Sequence, residues 1–297
     1  MMVFSSRYFL SFLLSHLLIL TGVVKRAKKK ALSGECILSI YLHDPSRFEF
    51  ESCVKWLLKN KFQPISISQL EALSSGVKPF PKGGVIITVD DGWRSNETNI
   101  VEIAHKYQVP VTIFVATEPV EQGTFWWSYI PEAGKKKILK QVPNEERMAV
   151  INDLKARQRP QRDAMTKDQI RRISGYENIT IGGHTHTHPI LPNCSEEQLW
   201  DELQLSRKKL EEWTQKSVDY FAYPNGSFTQ RETRALETLH YKLAFTTTPN
   251  YITPAALNRR FELPRFEVLK NASPAENICR MVGVWEPLMI RLKRFLN

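Results

Sequence analysis

Two short polar clusters in this 297-residue chain carry the residue types of hydrolytic chemistry. The first is Thr88-Val89-Asp90-Asp91-Gly92, at the end of an apolar run. Folding does not need two adjacent carboxylates there, and their side chains leave the backbone in different directions. One can hold a metal while the other works beside it as a base. Alone, the cluster would equally suit a solvated Asp-Asp-Gly turn.

The second cluster is Gly182-Gly183-His184-Thr185-His186-Thr187-His188-Pro189. Three histidines so close together are hard to explain as core filling. On an extended segment all three would share one face. In a turn of helix His184 and His188 converge and His186 points away. The glycines favour a bend, and Pro189 discourages helix through His188. We therefore expect Asp91, His184 and His188 as metal ligands, with Asp90 as the base and His186 outside the set. Three protein ligands leave a position for water, the arrangement of catalytic zinc. The same donors suit cobalt, nickel or manganese. The bland alternative is a surface histidine cluster with no partner carboxylate.

Both clusters need elements to position them. From about residue 35 the chain alternates β-branched runs (37–42, 85–89, 111–115, 179–181, 220–223, 243–246, 263–268) with helical stretches such as 98–107, 196–213 and 230–239. That alternation predicts a mainly parallel sheet covered by helices, an α/β fold. Residues 85–89 are apolar on both faces, as a strand buried on both sides should be. Polar clusters follow several strands, which suits a barrel with its chemistry at the C-terminal rim. Residues of about 125–165, with Trp126, Trp127 and several Lys and Arg, read as a helical insertion at that rim. There is no G-x-G-x-x-G or P-loop pattern to support nucleotide binding.

Together these motifs resemble the polysaccharide deacetylases, the NodB-homology group of carbohydrate esterase family 4. Thr88–Gly92 is close to its T-F-D-D-G motif, with Val89 in place of Phe, and His184–Pro189 to its H-[ST]-x-x-x-H-P motif. Ser39-Ile40-Tyr41-Leu42-His43, Phe221-Ala222-Tyr223-Pro224-Asn225-Gly226 and Leu263-Pro264-Arg265-Phe266 resemble motifs of an exopolysaccharide- and membrane-associated branch. The resemblance covers roughly residues 36–270. It implies a distorted (β/α) barrel of about seven parallel strands, of the glycoside hydrolase and deacetylase type. It also implies a metal-dependent hydrolase that removes N-acetyl or O-acetyl groups from a glycan or a lipid-linked amino sugar.

Two departures from the family pattern shape the expected site. Ala222 stands where the better-known branch has an arginine that holds the base aspartate, and Arg265 is the expected substitute. The late L-x-I-H motif, whose histidine is the general acid, is missing, because no histidine follows His240. His43 is the expected replacement. The family further implies an oxyanion donor from the backbone near Tyr223, with Pro224 and Gly226 in the same substrate-binding motif. Trp93, Trp126, Trp127 and Tyr223 offer faces for sugar rings, although each would also serve as core.

The rest of the chain speaks to location. Residues 8–24 are apolar, at the short limit for a spanning helix, and Lys25, Arg26, Lys28, Lys29 and Lys30 follow them. Charge after the apolar core is the reverse of a cleavable signal. The basic run should stay beside anionic headgroups on the cytoplasmic face. The organisation expected is a hydrophobic membrane-anchor segment over 1–34, a catalytic domain over 35–270 and a C-terminal amphipathic helix over 271–297. A buried N-terminal helix, or a signal anchor with an exported domain, are the rival readings.

The C-terminal helix would carry Trp285, Leu288, Met289, Leu292, Phe295 and Leu296 at helical spacing, packed first against its own domain. The four scattered cysteines read as reduced, buried thiols. Net charge is +10, concentrated near the ends and in the insertion, with no nucleic-acid module. The function expected is therefore glycan deacetylation, at a membrane and without nucleic acid. A weak or inactive glycan-binding protein on the same fold, or a hydrolase of another amide, are the alternatives.

Overall fold

The computed structural model describes residues 6–74, 76 and 78–296. Its frame is a parallel sheet built from β1 (Leu38–Leu42), β2 (Gln63–Pro64), β3 (Gly84–Val89), β4 (Val111–Val115), β5 (Ile179–Gly183), β6 (Tyr220–Ala222), β7 (Leu243–Phe245) and β8 (Phe266–Glu267). Seven strands follow the order β7-β6-β5-β4-β3-β1-β8, with β2 pairing the start of β3. They curve into a half-barrel. The segment 263–268 draws its ends together. Leu263 pairs with Phe245 of β7, and Phe266 and Glu267 pair with Ile40 and Tyr41 of β1. The run expected as one strand over 263–268 is therefore split between two neighbours, and only two residues of it form a ladder.

Helices cover the outside: α1 (Ser6–Leu20), α2 (Val23–Ala31), α3 (Arg47–Lys59), α4 (Ile67–Leu73), α5 (Glu102–Tyr107), α6 (Thr117–Gln122), α7 (Ala133–Leu139), α8 (Asn144–Arg157), α9 (Lys167–Ser174), α10 (Glu196–Thr214), α11 (Gln230–Thr238), α12 (Pro254–Leu257), α13 (Pro274–Met281) and α14 (Trp285–Leu296). Serine or threonine starts many of them. Ser46, Thr166 and Ser195 each form a reciprocal capping box with the Glu or Gln three residues on, which satisfies helix-end N–H groups. The helix expected over 98–107 begins instead as a π-turn over Glu97–Val101.

The strands alternate between two cores. Val85, Ile87 and Val89 of β3 face the helices, while Ile86 faces the barrel interior with Phe114, Ala222 and Phe245. Thr88 and Asp90 continue that inward row. Residues 126–154, between β4 and β5, hold a separate small core around Trp126, Tyr129, Ile130, Leu139 and Ile151.

The apolar N-terminal stretch is not one straight helix. Gly22, at φ 77°, separates α1 from α2, and the two axes bend by 69°. Among the described residues no single helix is long and apolar enough to cross a membrane; only the bent pair passes that test by length and composition. Helix α1 packs on α13, with Leu14 and Leu18 against Val24, Cys279, Val282 and Trp285. The C-terminal helix shares that cluster through Trp285 and Met289. Phe295 and Leu296 lie outside the described side chains. All four cysteines are free and buried.

Candidate metal centre and its catalytic neighbours

Asp90 and Asp91 diverge because the chain turns between them. Asp90 follows the inward row of β3. Asp91 and Gly92 adopt φ 77° and φ 90°, left-handed backbone that redirects the next side chains. Oδ1 of Asp91 lies 3.4 Å from Nε2 of His184 and 3.3 Å from Nε2 of His188. Its Oδ2 accepts the indole N–H of Trp93 at 2.9 Å. That bond aims the free oxygen at the histidines.

His184 and His188 do converge, but no turn of helix brings them together. The segment after β5 is irregular, with φ 69° at Thr185 and φ 56° at His188. Left-handed backbone at two non-glycine positions costs energy and persists only where surroundings hold it. The backbone does much of the holding. His184 N–H donates to Val115 O, and the N–H groups of Thr117 and Glu118 donate to the carbonyls of Thr185 and His186. His186 turns away, its Nδ1 2.8 Å from Thr117 Oγ1.

Sequence reasoning missed two residues that hold this loop. Glu202 of α10 accepts the backbone N–H groups of His186 and Thr187 at 2.7 and 2.8 Å and the Thr187 hydroxyl at 2.5 Å. Arg147 of α8, only 2% exposed, donates to Thr187 Oγ1 and His188 O at 3.0 and 3.4 Å. A charge at a core-facing helix position was the available signal for both.

The three ligand atoms fit one ion. In a tetrahedral site with bonds of about 2.0–2.2 Å, ligand atoms stand roughly 3.3–3.6 Å apart. The two Asp91–His separations match, and all three ligand atoms lie within 4.8 Å of one another. His184 donates Nδ1–H to Ala222 O at 2.7 Å, which leaves Nε2 as the lone pair facing Asp91. Burial drives His188 down to about 4 against the pull of Asp91, so it too offers a lone pair. Its Nδ1 has no partner among the described residues. Burial opposes charge on Asp91, but the hydrogen bonds with His184 and His188 outweigh it and hold its carboxyl well below the usual range.

Beside this centre, Arg265 closes on Asp90. Nη1 donates to Oδ1 and Nη2 to Oδ2, each at 2.8 Å. Nε donates to Thr246 O, and Nη1 also to Thr88 Oγ1. The guanidinium lies 4.5 Å from the Tyr41 ring centre. Burial works against charge on Asp90, yet Arg265 and then His184 lower its carboxyl below the usual range. It is an ionised acceptor at neutral pH. Arg265 thus stands on Asp90, the contact expected from the sequence.

With this centre in view, a family comparison is decisive: the polysaccharide deacetylase model matches residues 77–244, more than half of the chain. The chain belongs to the polysaccharide deacetylase family. It is 22% identical over 201 residues to YxkH of Bacillus subtilis (strain 168), covering 68% of this chain and 58% of that protein. A shorter stretch of 55 residues is 40% identical to the poly-beta-1,6-N-acetyl-D-glucosamine N-deacetylase of Escherichia coli (strain K12), covering 18% and 8% of the two chains. The chain therefore spans less than two thirds of either relative. The structure of Streptococcus pyogenes deacetylase PplD in complex with acetate shares its fold, with a TM-score of 0.60 and 18% identity over 83% of this chain and 97% of that one.

Around this centre the rim residues divide. His43 sits half-buried just past β1. Trp127 meets the His188 ring edge-on at 4.8 Å and stacks on Phe125 at 4.7 Å. Trp93 and Trp127 are partly exposed beside the ligands. Trp126 is not so placed. It is 3% exposed and its indole donates to His188 O, so it is core that fixes the loop.

Tyr223 corrects an expectation too. Its side chain is fully buried and stacked on Phe228 at 4.9 Å. The alternation of β6 explains this, since an inward Ala222 puts Tyr223 outward beneath the helices. Its N–H donates to Phe245 O at 3.1 Å and so is already engaged within the barrel. Pro224 and Gly226 shape the turn that follows. Gly226 has φ 69° and an added Cβ would lie 2.2 Å from Thr247 Oγ1. Lys140 of the insertion reaches the same turn, donating to Asn225 Oδ1 at 3.0 Å.

Proposed function

We propose that this chain is a metal-dependent hydrolase that removes acetyl groups, foremost N-acetyl, from a glycan or a lipid-linked amino sugar. One observation carries the reading: an Asp-His-His ligand set lies beside a second, ionised aspartate clamped by a buried arginine. Zinc at Asp91, His184 and His188, or else cobalt, nickel or manganese, would activate water and polarise the acyl carbonyl. Asp90 accepts the proton as the water oxygen bonds to the carbonyl carbon; each of its oxygens keeps a lone pair beyond the one used by Arg265. Arg265 keeps that carboxylate charged and fixed. His43 supplies the proton to the departing nitrogen as the carbon–nitrogen bond breaks. The products are acetate and a free amine. Trp93 and Trp127 bear on the sugar ring, and no nucleic acid takes part.

The relative named for poly-beta-1,6-N-acetyl-D-glucosamine supports an N-acetylated polymer as the first substrate to try. Acetate release from N-acetylglucosamine oligomers and lipid-linked amino sugars, with added zinc or cobalt, tests the reading beside Asp90→Asn. Release that stops in the variant and with chelator is the expected result. Bound metal without acetate from any sugar would favour a glycan-binding protein or a hydrolase of another amide.

Membrane attachment on the cytoplasmic face belongs to the same proposal, supported by the basic run at Lys25–Lys30 after the apolar stretch. Protease protection of the catalytic domain in intact cells, lost on opening them from within, tests the side. Digestion in spheroplasts would place the domain outside.

A further inference from the structure

We propose that α1, flanked by α2 and α14, is a monotopic membrane face: the chain lies on an anionic bilayer with α1 in the plane of the interface, spanning nothing.

The two sides of α1 are unlike. Ser11 and Ser15 are buried against α13, where the Cys279 thiol meets Ser15 O at 3.7 Å. Phe9, Leu10, Leu13, Leu17 and Leu20, between 50% and 83% exposed, point away from the protein. An exposed apolar strip of this kind marks an interaction surface. Ile290 and Leu292 of α14 are also exposed. A groove of about 790 Å³ runs between the two helices, with Leu10, Leu14, Met289 and Ile290 along its apolar side and Arg7, Glu276, Arg280 and Glu286 along its polar side.

The bend and the packing argue against spanning. Over its described residues helix α1 has 15 residues, about 22 Å at 1.5 Å per residue, against a hydrocarbon core of about 30 Å. The 69° bend then leads into α2, whose nine residues include five Lys or Arg. Crossing would also strip α1 from α13 and expose its serines to lipid. Lying flat keeps that contact and buries only the outer strip.

Charge identifies the occupant. Lys25, Arg26, Lys29 and Lys30 are exposed at one end of the strip and Arg7 at the other, and residues 6–31 contain no Asp or Glu. A second copy docked on this face would bring two basic runs together. Anionic headgroups complement them.

The orientation has a consequence for the active site. Arg7 and Tyr8 line a cavity with Phe48, in the first turn of α3 after β1, and with residues 269–271, in the loop that leaves the C-terminal end of β8. Helix α1 therefore begins at the catalytic end of the barrel, and Phe48, 68% exposed, stands on the same side. If the deacetylase reading holds, the enzyme meets its glycan at the membrane surface.

The test uses the full chain with vesicles of phosphatidylcholine, with and without phosphatidylglycerol. Binding to the anionic vesicles should be roughly tenfold tighter or more. It should be lost in Leu13→Glu/Leu17→Glu and weakened in the variant with Lys25, Arg26, Lys29 and Lys30 changed to Gln. A depth-sensitive fluorophore on Phe9→Cys and on Leu20→Cys should report the same shallow depth. A fluorophore deep in the hydrocarbon at either position would mean insertion across the bilayer and would overturn the proposal. So would failure to bind anionic vesicles, or a dimer abolished by Leu13→Glu/Leu17→Glu without lipid binding. Circular dichroism confirms folding of each variant. The vesicle readouts need no turnover, so loss of the deacetylase reading would leave them standing.

Discussion

Arg265 and Asp90 form a two-pronged ion pair, 2.8 Å on each prong, with side chains 0% and 3% exposed. Such a pair is costly to break from one side, because the survivor keeps a buried, unpaired charge. Arg265→Met should destabilise the fold by about 3–5 kcal/mol, read as a lower denaturant midpoint. Adding Asp90→Asn should recover part of that loss. Arg265→Lys should stay folded but turn over more slowly, since an ammonium cannot form the fork. Equal stability of Arg265→Met and wild type would refute the pairing.

Metal content tests the ligand set directly. Asp91→Ala and His184→Ala should each lose the bound ion, measured by elemental analysis after dialysis, while His186→Ala retains it. Normal metal in both of the first two variants would sink the assignment.

Trp93 acts through Asp91. Trp93→Phe keeps an aromatic ring and removes only the indole N–H that fixes Oδ2. Metal affinity should fall roughly 10–100-fold, as when outer partners of a ligand are removed, read by titration with zinc. An unchanged affinity would leave Trp93 as a sugar platform alone.

Glu202 should matter to the histidine loop without touching substrate. An amide in its place offers one acceptor oxygen where two now serve two N–H groups and a hydroxyl. Glu202→Gln should cost about 1–3 kcal/mol and weaken metal binding as well. Loss of stability with full metal affinity would mean the loop keeps its shape without this anchor.

Gly226→Ala would force a Cβ to 2.6 Å from the Thr247 backbone nitrogen at a φ of +69°. Overpacking of this kind costs about 1–3 kcal/mol. Acetate release should drop with it, because the turn carrying Asn225 must move. A thermal midpoint equal to wild type would show that the turn yields freely.

Much of this protein is decided locally and so was legible in its sequence. Strand β4 spans the expected residues 111–115, because its β-branched and aromatic residues favour a pleat while the flanking Pro110 and Ala116 do not. Helix α10 begins where Ser195 and Gln198 form a capping box. The residue types and order of Asp90, Asp91, His184 and His188 already point to a candidate metal site. What tertiary structure alone decided are contacts across long separations. Arg265 reaches Asp90 over 175 positions because β8 pairs with β1 beside β3, an order no local rule encodes. Glu202 meets the histidine loop only because α10 folds back beneath β5. The outward turn of Tyr223 and the bend at Gly22 follow from what each segment packs against. Propensity and periodicity act over a few residues, whereas a site assembled from strand ends depends on the neighbour each strand finds.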